Sequence, residues 1–392
     1  MISSKNVNVK NQYNDFANNK KLSKSKFKFV NISLLLATLL LVLIGLVMVY
    51  SASFYNADLN YNNKYYFLIK QIIGAVAGIF ALIFAYNFDY HKFLKLRWYI
   101  LGISVVLLVL VFLPGIGVAN YGAKRWLNIG FFTIQPSEIA KFGFVVWCSA
   151  YLSKNYKNIK KFKGILPILC FGGLMCLLIM LEPNMSITMC IAITMVTMLF
   201  VGGIKIKHLL LLAVPLILAV PVLIIIEPYR LNRLMAFLNP WLNPKGEGYQ
   251  LIQSLYSLGA GGLFGVGLFN SRQKYMFLPF AESDFIFSII GEEFGFFGCL
   301  IIILIFAVFV YNGIKIAFCS IDRFGAYLAT GITTVIGSQV LINIAVVTGS
   351  IPPTGVPLPF ISSGSTALVV FMFCVGVLLN ISKQSKAVNL QE

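Results

Sequence analysis

The stretch VNISLLLATLLLVLIGLVMVYSA, residues 30–52, decides the fold. It holds no charged residue, and it exceeds the run of about 20 apolar residues that an α-helix needs to cross the hydrocarbon of a bilayer. A secretory signal core is shorter, about 7–15 residues, so the stretch reads as a retained first span. Further apolar segments follow it at roughly 65–86, 97–113, 136–153, 164–182, 184–203, 208–226, 285–311, 324–348 and 363–382. In lipid every backbone N–H and C=O must find a partner within the protein, which a helix achieves inside one segment. The fold class predicted is therefore all-α, a polytopic membrane protein with about ten transmembrane helices.

The composition agrees. Of 392 residues, 59% are hydrophobic and 11% are charged, against about a quarter charged in an ordinary soluble domain. A net charge of +18 would point to nucleic acid in a soluble protein, but here the distribution of the charge explains it. With the N-terminus in the cytoplasm, basic residues collect on the cytoplasmic side. They run from Lys5 to Lys28, then Lys92, Lys95 and Arg97, then Lys154 to Lys163, then Lys205 and Lys207, then Lys315 and Arg323, and last Lys383 and Lys386. An even number of spans brings the C-terminus back to the cytoplasm. The expected organisation is a cytoplasmic lysine-rich tail over 1–29, disordered, a membrane domain over 30–382 with a large extracellular loop at 227–284, and a cytoplasmic tail over 383–392. The expected place is the cell (cytoplasmic) membrane, multi-pass, with no nucleic-acid partner.

The cytoplasmic connections are short, basic and plain. The extracellular ones are not. Residues 114–135 hold glycines and the cluster Lys124-Arg-Trp126, residues 227–284 mix charges, aromatics and glycines, and residues 349–362 contain Pro352, Pro353, Pro357 and Pro359. Long loops this apolar are expected to pack on the bundle and build a site, which places the working surface on the extracellular side.

The available chemistry is narrow. His91 and His208, the only histidines, fall on the cytoplasmic side. There is no P-loop, no dinucleotide fingerprint and no HExxH, and the seven cysteines lack zinc or CxxC spacing. No metal site is predicted. No cofactor is implied, and a divalent cation is left open. What remains is carboxylates and bases. Asp284, in Phe280-Ala-Glu-Ser-Asp-Phe-Ile-Phe-Ser288, opens a span; it is either an N-terminal helix cap or a general base in a partly desolvated pocket. The extracellular bases Lys124, Arg125, Arg230, Arg233, Lys245, Arg272 and Lys274 are either interfacial charges or contacts for an anionic substrate such as a lipid-linked phosphate. Arg230 and Arg233 share a face if helical. Glu138 and Lys141 can pair across one helical turn, either locking helices together or lining a polar cavity. Glu182, Glu292 and Glu293 sit at or inside span boundaries. The run Gly259-Ala-Gly-Gly-Leu-Phe-Gly-Val-Gly267 allows close backbone packing or a hinge, after an amphipathic stretch, Tyr249–Tyr256, expected as a helix at the interface.

Taken together, these segments resemble the SEDS family (shape, elongation, division and sporulation), cell-wall polymerases typified by FtsW and RodA. The matching stretches are Gly122-Ala-Lys-Arg-Trp126, Gln135-Pro-Ser-Glu138, Phe237-Leu-Asn-Pro-Trp241, Gly246-Glu-Gly-Tyr-Gln250 with Gln253-Ser254, the glycine run to Gly267, Ser271-Arg-Gln-Lys274, Asp284-Phe-Ile-Phe287, and Asn343 through Pro357-Leu-Pro-Phe-Ile361. They occur in family order across about residues 30–382 and look closer to the FtsW and SpoVE branch than to RodA. Three positions depart from the family pattern: Phe280 stands for a usual Glu, Asn184 for an acid, and Ser363-Gly-Ser-Thr366 for Tyr-Gly-Gly-Ser.

The resemblance implies a ten-span inverting glycosyltransferase, a peptidoglycan glycosyltransferase that polymerises lipid II outside the cell for division or sporulation. Its implied partners are lipid II, a class B penicillin-binding protein, and division or sporulation proteins. The family's essential acid falls on Asp284. Candidate substrate-binding residues are Lys124, Arg125, Trp126, Lys141, Arg230, Arg233, Gln253, Ser254, Arg272 and Lys274. Two other readings are a lipid II flippase, which needs a polar path through the bundle, and a non-catalytic scaffold that recruits a penicillin-binding protein.

Overall fold

In the computed structural model the chain is described over residues 3–120, 123–128, 130, 133–208, 210–211 and 228–388. Side chains are described over 32–117, 124–128, 130, 133–208, 210–211 and 231–385. The long helices are α1 (Ser3–Tyr61), α2 (Tyr66–Asn87), α3 (Lys92–Leu110), α4 (Pro136–Asn155), α5 (Phe162–Leu181) and α6 (Met185–Val201), followed by two shorter ones, α7 (Pro228–Leu238) and α8 (Tyr249–Gly261). Then come α9 (Ile286–Phe318), α10 (Arg323–Val347) and α11 (Ser365–Val388). Nine of the ten expected segments coincide with helices, and 208–226 lies, beyond its first residues, outside the described ones. Of the tail expected to be disordered, residues 3–29 are part of α1, and their side chains lie outside those described.

Among the described residues seven helices are long and apolar enough to cross a membrane: the Ile32–Tyr61 part of α1, then α2, α3, α5, α9, α10 and the Ser365–Ser385 part of α11. Helix α6 is apolar but shorter. Helix α4 has the length yet carries Glu138, Lys141 and Lys154. Its position explains this. Most of α4 is buried against protein, where a polar side chain can find a partner, rather than against lipid. The same distinction sorts the rest. The apolar windows of α10 and α11 are 67% and 72% buried, while those of α2 and α3 are 28% and 22% buried. So α4, α10 and α11 form the centre, and α2 and α3 present Phe80, Phe84, Ile103 and Val106 outward.

The starts of helices follow local rules. Pro136 occupies the first turn of α4, where its missing N–H costs nothing. Asp322 caps α10 by accepting from Gly325 N at 3.3 Å. Helix α9 is broken at Gly295 (φ +67°). The break exposes backbone groups, and the glycine run fills it. Val266 N donates to Glu292 O at 2.9 Å and Gly267 N to Glu293 O at 3.0 Å, while Phe296 N and Phe297 N donate back to Gly262 O and Leu263 O at 2.9 and 3.2 Å. A Cβ on Gly295 would lie 2.4 Å from Gly265 N. Of the two uses left open for the glycine run, close backbone packing is the one realised.

One element departs from an all-helical chain. Between α3 and α4 the described residues include a small antiparallel sheet of β1 (Gly117–Asn120), β2 (Ala123–Asn128) and β3 (Thr133–Ile134), in the order β1-β2-β3. The register jumps from Val118↔Trp126 to Ala119↔Lys124, so Arg125 is the extra residue of a β-bulge.

Candidate active site

The connections at one end of the bundle converge on Asp284, which lies just before α9. It is not the helix cap: Phe285 holds that position and no side chain caps the helix. The backbone carbonyl of Asp284 accepts from Asn343 Nδ2 of α10 at 2.8 Å, and the same amide reaches Val356 O at 2.6 Å. Ser362 Oγ donates to Ser283 O at 2.5 Å, and Ser363 N donates to Glu282 O at 2.9 Å. The loop after α10 is thereby fastened to both sides of the acid. Gly355 in that loop comes so near that a Cβ there would sit 3.1 Å from Asp284 Oδ2.

Two guanidiniums face this acid. Arg125 reaches in from the β2 bulge. Its Nε donates to Glu182 O at 3.2 Å and its Nη2 to Pro183 O, so the turn between α5 and α6 holds it. Arg233, on α7, donates from Nη1 to Pro353 O at 3.1 Å. Burial pushes the Asp284 carboxyl up to about 6, while the charges of Arg125 and Arg233 and the Ser283 hydroxyl pull it down. Glu282 is pushed up by burial as well, and its carboxylate accepts from Asn56 Nδ2 of α1 at 3.3 Å. An acid held near the working range beside two cations can take a proton from a hydroxyl, and the cations can hold an anionic leaving group.

The other predicted site residues divide. Lys124 is exposed and Trp126 half-buried on the sheet beside Arg125. Arg230 lies three residues before Arg233 on α7, its side chain outside those described. Gln253 is half-buried on α8, and Arg272 is exposed. Three of the candidates are buried and carry internal partners. Lys274 is buried and paired with Glu293 Oε1 at 3.0 Å, with Ser51 Oγ at 3.3 Å, which ties its loop to α9 and α1. Ser254 is buried, its hydroxyl donating to Val347 O at 2.7 Å and lying 2.8 Å from Ser288 Oγ. Lys141 pairs with Glu138 Oε2 at 2.9 Å and donates to Gln339 Oε1 of α10 at 2.5 Å, which is the helix-locking alternative. That pair also lines a small cavity with Ile336, Phe371 and Cys374. The reason is common to the three: a buried charge or hydroxyl needs an internal partner, and each has found one.

Two of the three departures from the pattern have structural roles. Asn184 caps α6 by accepting from Ile187 N at 3.3 Å. Ser365 Oγ donates to Lys70 O at 3.0 Å and Thr366 Oγ1 to Thr133 O at 2.9 Å, tying the start of α11 to α2 and β3. Residues that sequence reasoning left out of the site are Glu182, Glu282, Asn343 and Gly355. Asn343 was visible only as part of a matching stretch, and Glu182 only as a boundary acid. Among the described residues no group of three or more His, Cys, Asp or Glu is placed to hold a metal ion, and the cysteines are free thiols.

This geometry has relatives. A family model described as a cell cycle protein, FtsW/RodA/SpoVE, matches residues 32–387. The chain belongs to the FtsW/RodA/SpoVE family. Stage V sporulation protein E of Bacillus subtilis is 42% identical over 354 residues, covering 90% of this chain and 97% of the relative. A probable peptidoglycan glycosyltransferase FtsW of Geobacter metallireducens is 37% identical, covering 94% of this chain and 98% of the relative. Among solved structures, a chain of a peptidoglycan synthase complex aligns with a TM-score of 0.74 at 24% identity, covering 90% of this chain and 97% of that one. Rod shape determining protein RodA of Thermus thermophilus aligns with a TM-score of 0.66 at 21% identity, covering 90% and 96%. These two likenesses establish the FtsW/RodA/SpoVE fold, and the sequence relatives establish the family.

Proposed function

We propose that this protein is a peptidoglycan glycosyltransferase that polymerises lipid II, with Asp284 as general base. The observation that carries the reading is the half-buried Asp284 carboxyl, free of any capping duty, facing Arg125 and Arg233. The acceptor sugar hydroxyl gives its proton to the Asp284 carboxylate as its oxygen bonds to the donor's anomeric carbon. The bond from that carbon to the lipid diphosphate breaks, and the diphosphate leaves with both electrons. Arg125 and Arg233, joined by Arg230 and Lys124, hold the negative charge that develops. One displacement inverts the anomeric carbon, so no sugar–enzyme bond forms. Trp126 borders the sugar or lipid path.

The site faces the extracellular side, which is supported by the basic residues gathered at the other ends of the spans. A class B penicillin-binding protein is the partner proposed to cross-link the product, with division or sporulation proteins around it. The likeness to a chain of a peptidoglycan synthase complex supports that assembly. The test is strand formation from purified lipid II, with the partner present. Asp284→Asn is expected to lower the rate by about 100-fold or more, the usual worth of a general base. Polymer made at the wild-type rate by that variant overturns the assignment. Movement of lipid II across liposomes without any polymer would favour a flippase instead.

A further inference from the structure

Glu182 has no place in the chemistry above, yet it is the most poorly accommodated acid near it. It caps the C-terminal end of α5, outside the span, and is 1% exposed. Neither carboxylate oxygen meets a hydrogen-bond partner among the described residues. A buried ionised carboxylate without partners is costly, so the group either stays neutral or recruits a cation. The cation at hand is Arg125, which donates to the backbone carbonyls of Glu182 and Pro183. The charge of Arg125 also pulls on the Asp284 carboxyl, as does that of Arg233. One guanidinium thus stands between two acids. Its planar fork can serve one carboxylate in bidentate fashion, not both at full strength.

We propose that Glu182 is a positioning residue that competes with Asp284 and the substrate diphosphate for Arg125: neutral Glu182 leaves the guanidinium to the site, and ionised Glu182 draws it away. The inference rests on the polymerase reading. The charged groups concerned are Arg125 on β2, which faces Glu182 directly, and Asp284 and Arg233, which face the same centre from the loop before α9 and from α7. Burial pushes the Glu182 carboxyl up to about 8, against the pull of Arg125, so the switch between its two states falls on the alkaline side of neutrality. Asn184, two residues on, does not share this role because its side chain caps α6.

The experiment is the pH profile of lipid II polymerisation by the full-length protein with its partner, each variant normalised to its own maximum. Wild type is expected to lose about tenfold in rate for one pH unit above about 8, as Glu182 ionises. Glu182→Gln, neutral at every pH and of the same shape, is expected to lose that alkaline limb. An alkaline limb in Glu182→Gln that overlays the wild type overturns the inference, and if Asp284→Asn is inactive in the same assay the polymerase reading survives that failure. Active Asp284→Asn overturns both. A second measurement needs no activity. The infrared carbonyl band of a protonated acid, identified as the one missing in Glu182→Gln, should titrate near 8 in the wild type and higher in Arg125→Gln. An unmoved titration in Arg125→Gln overturns the competition.

Discussion

As the proposed base, Asp284 acts only when ionised, and burial keeps its carboxyl up at about 6. Below that value the group is protonated and cannot accept the acceptor hydroxyl's proton. The rate is therefore expected to rise with pH through about 6 and to level before the alkaline fall that Glu182 imposes, read from the acid limb of the polymerisation profile. Arg233→Gln removes one of the charges that pull the value down, so its acid limb should move to higher pH as its rate falls. An unmoved limb would mean that Arg233 does not act on the acid. At the same scale, a charged residue in a loop can be either substrate-facing or structural, and the type of residue does not decide which. Lys274 and Arg272 are two positions apart, but Lys274 is buried on Glu293 and Arg272 is exposed.

Elements place these residues through irregularities more than through regular structure. The bulge in β2 re-aims Arg125 toward the turn between α5 and α6, with Leu127 of the same strand buried against the bundle. The break in α9 lets the glycine run enter the helix. Just ahead of it Glu292 accepts from Ser257 Oγ at 3.1 Å, Ser271 Oγ at 2.5 Å and Arg272 N at 2.8 Å. Gly295→Ala should therefore unseat residues 262–274, since its Cβ meets backbone atoms and its φ is positive. The expected cost is about 1–3 kcal/mol of local stability, seen as faster proteolytic cleavage within that loop. Unchanged cleavage would show that the loop is held by the side-chain network alone.

Across the whole molecule, the site is made by segments far apart in the chain. The α1 end supplies Asn56, the sheet Arg125, the α5–α6 turn Glu182, α7 Arg233, and the loop after α10 Gly355. Asn343 on the central α10 is the joint between that loop and Asp284. Asn343→Leu leaves two carbonyls without their shared donor. It is expected to lower polymerisation by about 10-fold or more, at about 1–3 kcal/mol for each buried acceptor left unsatisfied, while the protein still inserts in the membrane. Wild-type activity in this variant would separate the joint from function.

Apolar segment length and the placement of lysines determined the membrane class, the span positions and the expected orientation, because lipid imposes a one-dimensional rule on each segment by itself. The order of short stretches from Gly122 to Ile361 determined the family and singled out Asp284 as the acid proposed for its chemistry. Other decisions belonged to the tertiary structure. It turned Lys141, Lys274 and Ser254 inward, made Arg125 the odd residue of a bulge, and left Glu182 buried beside it. The physical reason is that burial and partnership depend on which neighbours arrive from distant segments. Two lysines with the same intrinsic chemistry differ only in what folds over them.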